Sequence, residues 1–122
     1  MARVVHFELA ADDPERAVKF YEDVFGWQIK KWDGPQDYWL ATTGDKGIAG
    51  IDGAIMRRDP AMPAVVNTID VASLDEMIAA VKANGGTIVA PKMTVPHVGY
   101  MAYCQDTEGN TFGMMQSDPA AI

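Results

Sequence analysis

His6 and Glu8 stand two residues apart in the run Val4-Val5-His6-Phe7-Glu8-Leu9-Ala10. An imidazole beside a carboxylate is the raw material of three things: the start of a metal site, an acid–base pair, or a hydrogen-bonding anchor for a ligand. The run alternates as a strand does. Val5, Phe7 and Leu9 fall on one face, and Val4, His6, Glu8 and Ala10 on the other. The pair therefore shares a face, and if the apolar face packs on a helix, the pair points into a cleft. The plain alternative is a packed histidine bonded to its neighbour with no ligand to serve.

Further candidates are weaker. His97 lies in the stretch 91–99, bounded by Pro96 and Gly99, which reads as a loop before a strand. It is expected either at the lip of a cleft or as an ordinary exposed loop residue. Trp39, Thr68 and Tyr100 complete the expected ligand-binding set. Trp27, Trp32, Tyr38 and Tyr103 are the other aromatics that suit a flat ligand or an ordinary core. Tyr38 and Trp39 cannot both face the cleft if their strand alternates. Cys104 has no basic neighbour in sequence and reads as a small buried hydrophobe, not a nucleophile. The glycine-rich run 44–53 follows a strand but opens no helix, so it reads as a hairpin loop and not a phosphate cradle.

The elements that must position these residues repeat. Shifting the sequence by about 60 residues lays Leu9 on Ile69, Asp13 on Ser73, Gly26 on Gly86 and Gly53 on Gly113, a period that marks a duplicated unit. In the first half Asp13 reads as a helix N-cap, with Pro14 and Glu15 in the first turn. Ala17, Phe20, Tyr21 and Val24 form its apolar stripe, and Gly26 is the stop. In the second half Ser73-Leu74-Asp75-Glu76 has capping-box form, Met77, Ile78 and Val81 supply the stripe, and Asn84-Gly85-Gly86 is the stop. Strands are expected at 4–10, 27–32, 37–43, 51–57, 65–71, 87–90, 99–105 and 110–116. Each half reads β-α-β-β-β. The expected fold class is α+β: two βαβββ modules, 1–57 and 64–118, joined by a linker at 58–63, in a pseudo-two-fold repeat around a cleft within one domain of 1–122.

The chain has 122 residues, 48% hydrophobic and 22% charged, which is ordinary globular composition. Its net charge of −7 disfavours nucleic acid and anionic membrane as partners. One cysteine excludes an intrachain disulfide and fits a reducing cytoplasm, where the protein is expected. No apolar run approaches the length of a membrane span, and no signal peptide is read at the N-terminus.

The stretch 6–27, HFELAADDPERAVKFYEDVFGW, and its counterpart at 99–116, GYMAYCQDTEGNTFGMMQ, resemble the vicinal oxygen chelate superfamily of glyoxalases, bleomycin-resistance proteins and extradiol dioxygenases, and more closely its small bacterial glyoxalase-related members. The resemblance implies metal ligands at four places, on the first and last strand of each module. Here those positions read as His6, Val66, Gly53 and Gly113, so His6 is the only retained candidate and no catalytic metal is expected. The expected function is binding a small, largely apolar or aromatic metabolite in the cleft without a cofactor. The resemblance also implies a homodimer. Two alternatives stay open: a metal-dependent glyoxalase-type lyase or dioxygenase using Zn, Ni or Fe, and a non-catalytic subunit that acts through a protein partner.

Overall fold

Strand β1 (Arg3–Ala11) buries its residues unevenly, and Asp12-Asp13 ends it. The computed structural model describes the whole chain, Met1–Ile122. The Asp13 side chain accepts the backbone N–H of Arg16 and Pro14 occupies the first helical turn, so helix α1 (Pro14–Phe25) begins where the cap dictates. Gly26 stops it in the left-handed conformation at φ 73°, which costs a glycine little. Strands β2 (Gln28–Lys31), β3 (Tyr38–Thr42) and β4 (Asp52–Arg57) follow. The second half repeats the order: β5 (Val65–Asp70), α2 (Leu74–Ala83), β6 (Thr87–Val95), β7 (Gly99–Gln105) and β8 (Thr111–Ser117). Ser73 caps α2 by accepting the Glu76 N–H. The fold class is α+β, with both halves β-α-β-β-β.

The chain divides into two units, His6–Val66 and Asn67–Ile122, the latter taking Met1–Val5. In the first, the strands lie in the order β2-β3-β4-β1, with β4 parallel to β1 and antiparallel to β3. In the second, the order is β5-β8-β7-β6, with β8 parallel to β5 and antiparallel to β7. Each helix covers one face of its own unit's strands. Ala11, Trp39 and Ile55 form the core under α1, joined by Leu9, Ala17, Val18, Tyr21 and Ile29. Val71, Leu74, Ala102, Cys104 and Met114 form the core under α2. Cys104 is fully buried, and burial pushes its thiol pKa up, as befits a packed side chain.

Three expectations need correction. The stripe of α1 that meets the sheet is Pro14, Ala17, Val18 and Tyr21; Phe20 and Val24 are each 55% exposed. The spacing i, i+3, i+4, i+7 starting from Pro14 is the true buried face. Residues 91–95 are strand, not loop. Pro91 is tolerated because β6 is an outer strand and its pairing with β7 slips between Ile88 and Ala90 and again between Ala90 and Met93. Gly53 and Gly113 lie in corresponding strands but one register apart. Gly53 pairs with Phe7, whose ring would collide with a Cβ there, whereas Gly113 pairs with Thr68 on the opposite face. No helix is long and apolar enough to cross a membrane.

Candidate functional site

The face of the first unit turned away from α1 carries the site. Register fixes its membership: His6 pairs with Asp52 and Glu8 with Ala54 across β1–β4, while Leu40 pairs with Ala54 and Tyr38 with Met56 across β3–β4. A side chain on β3 must reach over the whole of β4, roughly 9–10 Å, to meet β1. Tyr38 does so across the small side chain of Ala54. Its hydroxyl donates to Glu8 Oε2 at 2.7 Å and lies 2.7 Å from His6 Nε2. The phenol thus ties together the two residues that open the chain's chemistry. The His6 and Tyr38 rings are nearly parallel, at 15°, and Trp32 meets Tyr38 edge-on at 6.1 Å.

The electrostatics follow from burial. Glu8 is 5% exposed, and its hydrogen bond from Tyr38 offsets the cost of desolvating a carboxylate. His6 is half-buried; desolvation holds its imidazole below the usual histidine range, with the nearby Glu8 and Asp52 charges pulling the other way. Neutral imidazole is the resting form at neutral pH. Asp52 is itself engaged, accepting the backbone N–H of Thr43 at 2.9 Å at the mouth of the glycine-rich hairpin. That hairpin joins two antiparallel strands, as its sequence implies. Beside Glu8 a small recess is lined by Ala10, Met56, Met62, Pro63 and Val66, apolar but for the carboxylate and the flanking Arg57 and Asp59.

Of the sequence candidates, His6 and Glu8 are brought together. Trp39 is not with them: it is 7% exposed in the α1 core, with Lys31 and Arg57 over its ring. Strand parity puts Tyr38, its neighbour, on the site face instead. Thr68 is buried in the second unit, on a face shared with Gly113 and Tyr103. Tyr100 is on the other side, packed against the α2 core with the Lys92 ammonium 4.9 Å above its ring. His97 is exposed at the turn of the β6–β7 hairpin, at φ 64°, its backbone N–H donating to the Ala121 carbonyl. Tyr38 is the residue that sequence reasoning left out of the set, although Trp39 beside Ala41 already marked the other parity as apolar.

The profile of the Glyoxalase/Bleomycin resistance protein/Dioxygenase superfamily matches residues 3–114. The chain belongs to this superfamily. It is 30% identical over 118 residues to "Putative glyoxylase CFP32" of Mycobacterium tuberculosis, covering 92% of this chain and 43% of that protein, so it spans less than half the length of that relative. A "Glyoxylase-like domain-containing protein" of Didymella fabae is 32% identical over 109 residues, 85% of each chain. Solved structures share the superfamily fold at low identity. Methylmalonyl-CoA epimerase from Mycobacterium tuberculosis has a TM-score of 0.72 at 16% identity over 95% of this chain and 88% of that one. A variant of the Streptomyces coelicolor methylmalonyl-CoA epimerase in complex with 2-nitronate-propionyl-CoA has 0.74 at 14% identity over 98% and 97%.

The superfamily resemblance implies a metal in its enzymes, and the donors here do not fit one. The register replaces Gly53 with Asp52 and Ala54 as the site-facing residues of β4. Asp52 is bound to Thr43, and Glu8 to Tyr38. In the second half the corresponding strands offer Val66, Thr68 and Gly113, and no three His, Cys, Asp or Glu side chains converge. A catalytic zinc wants three protein donors and an open position.

Proposed function

We propose that the protein binds a small, largely apolar or aromatic metabolite against the His6–Glu8 face of its first unit, without a resident catalytic metal. The observation that carries this reading is the hydrogen-bonded chain of His6, Tyr38 and Glu8. It engages His6 Nε2 and Glu8 Oε2 through the Tyr38 hydroxyl and forms an ordered polar patch beside the apolar side chains of Ala54 and Met56. Such a site suits a ligand with one polar group on an apolar body. Thr68 and His97, both on the second unit, are candidates for ligand contacts on that unit; Trp39 and Tyr100 serve the two cores.

Replacing His6 by Ala is expected to weaken ligand binding by about 1–3 kcal/mol, because its polar partner is left unpaired, while the fold persists. The deciding measurement is the metal content of protein purified without chelator and without a histidine tag. Substoichiometric metal supports the proposal. About one tightly held transition metal per chain, lost in His6→Ala, would overturn it and favour a metal-dependent lyase or dioxygenase.

The protein is further proposed to act in the cytoplasm as a homodimer. The support is the apolar surface that Phe20, Val24 and Phe25 leave exposed on α1, which association would cover. Light scattering at micromolar concentration is expected to give twice the chain mass; a monomer, or a stable complex only with a different protein, would refute it.

A further inference from the structure

We infer that Tyr38 sets the ligand class of this site: it fixes His6 with an unprotonated Nδ1, so that the site takes ligands through a hydroxyl or N–H donor and turns away carboxylates and phosphates. This rests on the reading of the His6 face as a binding site.

The inference comes from counting protons along the chain. A carboxylate only accepts, so the single hydroxyl hydrogen of Tyr38 is spent on Glu8. What Tyr38 has left toward the imidazole is an oxygen lone pair. His6 Nε2, at 2.7 Å from that oxygen, must therefore carry the hydrogen and donate it. A neutral imidazole has one N–H, so Nδ1 is the acceptor. The order of donation is His6 Nε2–H to Tyr38 Oη–H to Glu8 Oε2, and the bond to Tyr38 is the one hydrogen bond that the imidazole makes. The nitrogen left over asks for a donor.

Charge selects in the same direction. The titratable groups that face His6 are Glu8 on its own strand, Tyr38 from β3 and Asp52 from β4; two of the three are acids. The arginines near this face are committed elsewhere: Arg57 binds Asp37 at 3.0 Å and Arg58 binds Asp12 at 2.8 Å, and Lys46 sits in the exposed hairpin whose hollow Asp52 shares. Lys30 sits on β2, separated from β1 by two strands, and is exposed. An anionic ligand would meet two carboxylates and no free guanidinium, whereas a neutral phenol, enol, alcohol or amide brings a hydrogen that His6 Nδ1 can accept. Tyr38 is thereby a specificity-determining residue that touches no ligand atom itself.

The test has two arms. Protein labelled with nitrogen-15 at histidine is examined by NMR without ligand, and then titrated with phenol, anisole and benzoate in turn. In the ligand-free protein at neutral pH, His6 is expected to show the Nε2–H tautomer, and Tyr38→Phe is expected to shift it toward a tautomeric mixture. Phenol is expected to perturb His6 Nδ1 and to bind at least about tenfold more tightly than anisole or benzoate, the scale of one hydrogen bond. In Tyr38→Phe the gap between phenol and anisole is expected to close. A ligand-free spectrum showing the Nδ1–H tautomer overturns this inference and leaves the binding proposal standing. Anisole or benzoate binding as well as phenol overturns it too. The expected tautomer with none of the three probes perturbing His6 overturns the donor rule together with the binding reading beneath it.

Discussion

In the first half of the chain β1 presents His6 and Glu8 on the face away from its helix; in the second half, β5 presents Val66 and Thr68. Register makes the match. Leu9 pairs with Ile55 as Ile69 pairs with Met114, so Glu8 and Ala54 correspond to Thr68 and Gly113, and Tyr38 beside Met56 corresponds to Met101 beside Met115. One unit thus carries a three-member polar chain where its counterpart carries a valine, a methionine and a threonine. The helix-facing sides are far more alike: Trp39 and Ile55 under α1, Ala102 and Met114 under α2, all buried. The difference teaches that the repeat is maintained by the apolar face of each sheet, which needs only volume and hydrophobicity. The other face is free to diverge, and the His6–Tyr38–Glu8 chain occurs in one copy.

If that division is right, damage to the shared apolar faces should be large and similar in both units. Ile55→Ala and Leu74→Ala remove fully buried side chains and are each expected to cost about 3–4 kcal/mol, read as the shift in urea midpoint. A loss confined to one of the two would break the comparison. Next in size is the asymmetric face. Tyr38→Phe deletes a hydroxyl engaged at both ends and is expected to cost about 1–2 kcal/mol of stability. Met101→Leu, at the matching station, should cost less than about 1 kcal/mol. Equal losses would show that the polar chain contributes nothing particular.

The caps should again behave alike. Asp13→Ala and Ser73→Ala each remove an oxygen that accepts a helix N–H and are expected to cost about 1 kcal/mol, seen in thermal melts. The smallest effect belongs to His6, which keeps part of its surface in water. Burial sets its folded pKa below the unfolded value near 6.5. As pH falls through that value the unfolded chain takes up the proton first, so stability declines toward acid until the folded imidazole is protonated as well. Urea titrations at about pH 7.5 and about pH 5.5 should show this decline, and His6→Gln should reduce it.

Much of the fold was legible because its signals are local. The Asp13 and Ser73 caps, the Gly26 stop and the strand alternation around His6 each depend on a few adjacent residues. The superfamily was legible for the same reason. What was not legible depends on parity and register, which tertiary pairing sets. Trp39 and Tyr38 differ by one position and therefore by a whole face. Tyr100 shares parity with Cys104, so reading Cys104 as buried already carried Tyr100 to the core side. The slip between Gly53 and Gly113 is invisible to a gap-free overlay, because the stretch leading to β7 is longer than its counterpart leading to β3 while the hairpin before the last strand is shorter, and the two differences nearly cancel. Phe20 and Val24 misled because Pro14 and Val18, which share the buried stripe of α1 with Ala17 and Tyr21, are smaller than Phe20, and size drew attention to the wrong side.

The outer strands β2 and β6 bear on a different hazard, that of uncontrolled polymerisation. A bare edge offers unpaired amides to any extended peptide. β2 is only four residues long and ends in Lys30-Lys31. β6 is nine residues long but interrupted by Pro91 and by two slips in its pairing. One edge is guarded by brevity and like-charge repulsion, the other by a missing amide and a bent template. Neither offers a long, straight template to an incoming strand, so pairing of another chain along these two strands is disfavoured and side chains are left to carry lasting self-association.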